Sequence, residues 1–289
     1  MPGMLFNSFS RKRLASTNTG VRICGIIFAQ FAWRNCGHSV QTATASAPAS
    51  AVAMSLASAT KFNSGGSCGM AGSKALDLAA FCAARGQAML RFDYSGHGGS
   101  GGRFEDGCIG RWTEDALAAI DRLTEGPLII VGSSMGGWIA LLAALARAER
   151  VAGLIGIAAA PDFTETLMWD AMAPPERAAL LREGVLHVPS QYGEPYAITL
   201  KLIEDGRRHL LLNAPIRLHC PVRLLHGQRD PDVPWELSLR ISERVESEDV
   251  QVVLIKDGDH RLSRPEDLAL LRRTLAALPG LDFAEQDGA

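Results

Sequence analysis

Three short stretches of the chain carry residue types that could together turn a hydroxyl into a nucleophile. The first is Gly132-Ser133-Ser134-Met135-Gly136, with Gly137 next. It fits the spacing G-x-S-x-G, in which a serine sits strained at the tip of a strand-to-helix turn. Residues two before and two after that serine approach each other closely, so only small ones fit. Ser133 is out of frame, which leaves Ser134 as candidate nucleophile. A helix starting here aims unspent N–H groups and its dipole at a developing oxyanion, and the Met135 N–H is the candidate donor. The second stretch, GQRDPDVP from Gly227 to Pro234, offers two carboxylates, Asp230 and Asp232. Either could accept an imidazole N–H and fix its tautomer, or merely shape the turn. The third is Asp257-Gly258-Asp259-His260. Its histidine could take the serine's proton and return it to a leaving group.

These stretches need elements that hold them. Leu128 to Gly132 (LIIVG) reads as a short, fully apolar strand of a parallel sheet, followed by an Ala/Leu helix from Gly136 to Arg147. Before it come a helix over Ser73 to Ala84, a strand over Ala88 to Tyr94 and a helix over Trp112 to Leu123. After it come strands at Val151 to Ala159, Pro221 to His226 and Val250 to Ile255, with helices over Pro234 to Val245 and Pro265 to Leu275. This repeated strand–helix order predicts an α/β fold: a mostly parallel sheet with helices on both faces. Residues 161–215 interrupt the rhythm with Pro161, Pro174, Pro175, Pro189 and Pro195. Helical pieces at Glu176 to Arg182 and Ile198 to Asp205 predict a small helical cap there.

Composition narrows the function. With 47% hydrophobic and 21% charged residues the chain is globular in type. A net charge of -2 gives no reason to expect nucleic acid. No apolar run reaches the roughly 20 residues of a membrane-spanning helix, so no integral membrane segment is expected. The six cysteines form no CxxC pair and no zinc pattern, which suits reduced thiols in the cytoplasm and no metal. Cys108 has no neighbouring base and reads as a packed thiol. The Gly-rich loop Asp93 to Ser100 lacks a P-loop lysine and reads as a tight turn beside Ser134. Residues 1–70 stand apart. The first acidic residue is Asp77, and bases at Arg11, Lys12, Arg13, Arg22, Arg34 and Lys61 are scattered among Ala, Ser and Thr. That composition matches a mitochondrial transit peptide, which makes the mitochondrial matrix the alternative compartment.

The stretches RFDYSGHGGSGG, VGSSMGGW, LLHGQRDPDVP and GDHRLS together resemble the α/β-hydrolase superfamily, whose triad runs serine, acid, histidine along the chain. Within it, GRFEDGCIGRW (102–112) and GIAAAPDFTETLMW (156–169) are similar to the mitochondrial palmitoyl-protein thioesterase and acyl-glucuronide esterase family and its bacterial relatives. The resemblance spans roughly residues 70 to 277. It implies Ser134, Asp230 rather than Asp232, and His260 as the triad. It also implies an acyl-enzyme route through thioesters or carboxylic esters with a sizeable acyl group, without a cofactor. The substrate would be a small molecule or an acylated protein. Phe163, Met168, Trp169 and Met172 of the cap would line an acyl pocket. An amide or peptide hydrolase on the same fold is the alternative.

The departure lies upstream. Family members begin with three further strands, the third of them central, between those at 88–94 and 128–132, and its following Gly-Gly loop donates half the oxyanion hole. Here Ser55 to Asn63 (SLASATKFN) matches a buried strand poorly, and Gly65-Gly66 alone resembles the loop, with Gly66 as donor. Residues 1–70 thus read as an atypical, disordered segment, transit-like or produced by an altered reading frame, ahead of an α/β-hydrolase domain at 71–280. A catalytically impaired chain lacking the N-terminal sheet strands follows as a further alternative.

Overall fold

The structure, a computed structural model, describes residues 25–30, 41–42, 55–56, 58–59, 69–190 and 193–278. Four strands come first: β1 (Gly25–Gln30), β2 (Gln41–Thr42), β3 (Ser55–Leu56) and β4 (Ser58–Ala59). Then follow α1 (Ser73–Ala84), β5 (Met89–Phe92), α2 (Ile109–Leu123), β6 (Leu128–Ser133), α3 (Met135–Ala146) and β7 (Val151–Ile157). A π-helix (Thr164–Trp169), α4 (Pro174–Glu183), β8 (Val185–Ser190), β9 (Gly193–Thr199) and α5 (Leu200–Arg207) make up the cap. The chain ends with β10 (Val222–Gly227), α6 (Glu236–Arg244), β11 (Val250–Ile255) and α7 (Pro265–Ala276).

A seven-stranded sheet in the order β11-β10-β7-β6-β1-β5-β3 is parallel throughout. Alternate strand residues point to opposite faces, and the core divides accordingly. Leu128, Ile130, Leu154 and Leu224 pack with α2, α3, α6 and the cap. Their neighbours Ile129, Val131, Ile155 and Leu225 pack with α1 and α7. Both faces are thus covered, and β6 is buried along its whole length, as a continuous apolar run requires.

Three expectations change. The central slot is not empty: β1 fills it, pairing with β5 from Ile26 to Phe28 and with β6 from Gly25 to Gln30. The strand comes from GIIFAQ rather than from the stretch after Ser55, of which only Ser55–Leu56 pairs, on the far edge of β5. The two central edges therefore have their ladder partners. Apart from these short strands, the transit-like or frame-altered segment lies outside the described residues. The cap also holds an antiparallel hairpin, β8–β9, with Leu186 opposite Ile198. Pro189 and Pro195 argued against strand there, but they sit near the turn end, where a missing donor costs least. Helix α2 begins at Ile109, earlier than the Trp112 expected, because the Gly110 N–H finds its acceptor in Asp205 Oδ2 of α5 at 2.7 Å.

Candidate active site

β6 delivers Ser134 to the carboxyl edge of the sheet. The residue has φ 57 and ψ −125, a conformation an L-residue holds only under constraint. The constraint is visible: its N–H donates to the Ile157 carbonyl at 2.9 Å, and its carbonyl accepts from Gly137 at 2.8 Å and Ala160 at 3.1 Å. A Cβ on Gly132 would run into the Gly136 carbonyl oxygen and lie 2.6 Å from its carbon. One on Gly137 would lie 2.5 Å from Ala159 Cβ. Gly132 and Gly137 are thus required by space. Met135 follows as the first residue of α3, where backbone N–H groups lack intrahelical acceptors. Alongside, Gln30 ends β1 in register with Ser133.

The loops after β10 and β11 are pinned to each other. A Cβ on Gly227 would strike the Gly258 carbonyl and lie 2.7 Å from the Asp259 oxygen, and the Arg229 N–H donates to the Gly258 carbonyl at 2.9 Å. This contact sets Asp230 against His260. His260 Nδ1 lies 2.7 Å from Asp230 Oδ2, and His260 Nε2 lies 3.1 Å from Ser134 Oγ. Asp230 Oδ1 accepts from the Asp232 N–H at 2.8 Å and the Val233 N–H at 2.9 Å. Burial alone would raise the Asp230 carboxyl pKa. Hydrogen bonds from His226 and His260, with help from Val233, instead hold it well below the usual carboxylate range. An imidazole whose Nδ1–H donates to that carboxylate presents a free Nε2 lone pair to the serine hydroxyl.

The remaining sequence-predicted residues divide. Asp232 is exposed and faces Asp230 through its own N–H. Phe163, Met168 and Met172 are buried in the core cluster that also holds Met135, with Phe163 edge-on to Trp138 at 5.6 Å. Trp169 stands apart: its ring is flanked by the guanidinium groups of Arg177 at 5.3 Å and Arg207 at 4.6 Å. Gly66 lies outside the described residues. Burial pushes the Cys108 thiol up, consistent with a packed thiol. The Asp93–Ser100 loop is a turn held by Ser95 on Asp115, at 2.9 Å from nitrogen and 2.7 Å from oxygen, and by Gly99 on Asp93 at 3.0 Å.

A family model described as Hydrolase_4, serine aminopeptidase S33, matches residues 68–195. The mitochondrial palmitoyl-protein thioesterase ABHD10 of Homo sapiens is 43% identical over 208 residues, covering 71% of this chain and 68% of its own. The chain belongs to the ABHD10 family of α/β-hydrolases. The solved structure of mouse α/β-hydrolase domain-containing protein 10 superposes with a TM-score of 0.69 at 36% identity, over 87% of this chain and 88% of that one. A hydrolase from Agrobacterium vitis S4 does so with a TM-score of 0.72 at 36% identity, over 89% and 88%. As an ABHD10-family member the chain is a hydrolase of the esterase and thioesterase class.

Two residues beside the site escaped sequence reasoning. His226, in β10, is fully buried and also reaches Asp230 Oδ2, the oxygen His260 uses, at 3.2 Å. Lys74, in α1, is 1% exposed and donates to the carbonyl of Arg261, next to His260. Spacing held a clue to Lys74: it lies on the stripe with Leu78 and Cys82, at i+4 and i+8, and so on the buried face.

Proposed function

We propose that this hydrolase cleaves thioesters and carboxylic esters of sizeable acyl groups through Ser134, His260 and Asp230. The observation that carries this is the unbroken hydrogen-bonded line from Ser134 Oγ through the His260 ring to Asp230 Oδ2. Ser134 Oγ attacks the acyl carbonyl as His260 Nε2 takes its proton. The Met135 N–H faces the oxyanion; with β1 rather than the stretch after Ser55 in the central slot, Gly66 no longer follows the central strand and its basis as second donor falls away. Collapse breaks the bond to the thiol or alcohol, which leaves with the proton from His260. Water then repeats the sequence and frees the acid from the acyl-enzyme. Asp230 stays ionised and keeps the imidazole oriented. Phe163, Met168 and Met172 supply the apolar wall for the acyl chain in this reading, and Trp169 bounds it on the side of Arg177 and Arg207.

The name of the relatives, palmitoyl-protein thioesterase, supports an acylated protein or small acyl thioester as substrate. The family description, serine aminopeptidase, favours a second reading, amide hydrolysis. The place of β1 at the centre of the sheet weighs against the impaired-chain reading. The test has two parts. A fluorophosphonate probe should label the protein, and Ser134→Ala should abolish labelling. Matched thioester, ester and amide substrates with one acyl group should then rank thioester or ester first. Labelling that survives Ser134→Ala rejects the nucleophile, and a faster amide rejects the substrate class.

Cytoplasmic placement finds no support among the relatives, which are named mitochondrial. We place the protein in mitochondria, with the base-bearing, acid-free N-terminal stretch as the address. Cleavage must then fall before Gly25, because β1 carries ladder bonds on both sides. Mass spectrometry of the mature chain reads this directly, and a new N-terminus beyond Gly25 sinks it. No helix among the described residues is long and apolar enough to cross a membrane.

A further inference from the structure

The carboxylate of Asp230 lies between two imidazoles. Its Oδ2 meets His260 Nδ1 at 2.7 Å on one side and His226 Nε2 at 3.2 Å on the other. His226 Nε2 also faces the Val233 carbonyl at 3.0 Å. Two oxygen acceptors on one ring nitrogen require that this nitrogen carry the proton. His226 Nδ1 lies 2.7 Å from Ser238 Oγ, which can donate to it and so favours that same tautomer. His226 and Ser238 are 0% and 1% exposed, so no water competes for these bonds. The chain thus carries a second serine–histidine arm, mirrored about the acid, whose serine is sealed from substrate.

We propose that His226 is a positioning residue for this reaction: its Nε2–H, locked by Ser238, fixes the Asp230 carboxylate and shares its charge with His260. The inference rests on the triad reading above. Its physical content is a division of one acceptor between two donors. Each bond to Oδ2 withdraws charge that the other would feel. With His226 present, the carboxylate stabilises the imidazolium of His260 less than a lone acid would, and His260 releases its proton to the leaving group more readily. With that donor removed, Oδ2 turns its full charge on His260 and holds the imidazolium more firmly. The charged groups on the loops meeting here include Arg229 and Asp232 beside Asp230, Asp257, Asp259 and Arg261 around His260, and Lys74 behind them. All of these remain in the variants.

The experiment is the pH profile of kcat/KM for a soluble acyl thioester on the full chain. His226→Phe, which keeps a flat ring and removes the donor, should move the acid limb to higher pH. It should also lower kcat/KM by about tenfold, the rate equivalent of one hydrogen bond to a charged group. His226→Gln, whose amide nitrogen reaches the position of Nε2, should bring the limb back. A limb that stays put or moves to lower pH in His226→Phe overturns the inference, since a merely displaced Asp230 supports His260 less. If His226→Phe does not fold, Ser238→Ala serves instead: it releases the tautomer lock and should shift the limb in the same direction by less, and an unmoved limb overturns the inference. Ser134→Ala runs alongside. Activity that survives it fails the triad reading itself, whereas Ser134-dependent activity with an unmoved His226→Phe limb fails only the proposal.

Discussion

Lys74→Met should lower stability by an amount that depends on pH. Lys74 sits behind the His260 loop, 1% exposed, and its ammonium donates to the Arg261 carbonyl. Burial pushes its pKa from 10.5 down to about 8; the Asp259 and Asp267 carboxylates pull upward, and Arg261 pushes down. Between those two values the unfolded chain binds more protons than the folded one, so unfolding free energy rises with pH across the window. The stability tied to this group is fully present above the unfolded value and is lost as pH falls through about 8. Between pH 7 and pH 10 the wild type should gain about 2.5 kcal/mol from this group. The methionine variant has no such titration. It leaves the Arg261 carbonyl without its donor, at a cost of about 1–3 kcal/mol at any pH. The two terms nearly cancel at pH 7, where the variants should melt alike, and at pH 10 the wild type should be clearly more stable. Urea unfolding followed by tryptophan fluorescence at both pH values gives the difference, in which all other titrating groups cancel. A wild-type-minus-variant difference that is flat from pH 7 to pH 10 refutes the reasoning, because it means the ammonium is not desolvated in the fold.

Gly132→Ala should remove probe labelling of Ser134 by at least about a hundredfold, since its Cβ meets backbone at Gly136 and displaces the nucleophile; labelling at the wild-type rate refutes the steric account. Asp205→Ala should lower stability by about 2 kcal/mol, because the carboxylate ties α5 to the Gly110 N–H at 2.7 Å and to Arg208 at 2.6 Å. Burial raises the Asp205 pKa, but those bonds hold it below its ordinary value, so its contribution is present at neutral pH and fades as pH falls through the folded value. A melt unchanged by the substitution at pH 7, or a deficit that persists undiminished at low pH, counts against this cap anchor. Turnover should be indifferent to EDTA even though Asp230, Asp232 and His260 offer ligand atoms within 4.8 Å of one another; a chelator-sensitive rate refutes metal-free chemistry.

The parts of the molecule that were legible in the sequence are those in which local chemistry and tertiary need coincide. LIIVG reads as a buried strand in any context because both its faces are apolar, and G-x-S-x-G reads as an elbow because backbone contact forbids a larger residue. What was hidden depended on partners distant in sequence. GIIFAQ is a good strand by itself, but it lies inside the base-bearing, transit-like segment, and only the slot between β5 and β6 gives it a place. The start of α2 was hidden because its acceptor, Asp205, is supplied by the cap. His226 was hidden for a different reason: a histidine in a buried strand carries no spacing signal, and its meaning arises only when Asp230 folds back four residues later to share an oxygen with His260. The same logic explains why the acid could not be chosen from the turn alone. Asp230 and Asp232 are chemically equal in GQRDPDVP, and what separates them is that one is enclosed by two imidazoles and the N–H groups of Asp232 and Val233 while the other remains in solvent. A carboxylate so enclosed stays ionised while its histidine cycles, and that is the property the chemistry needs from it.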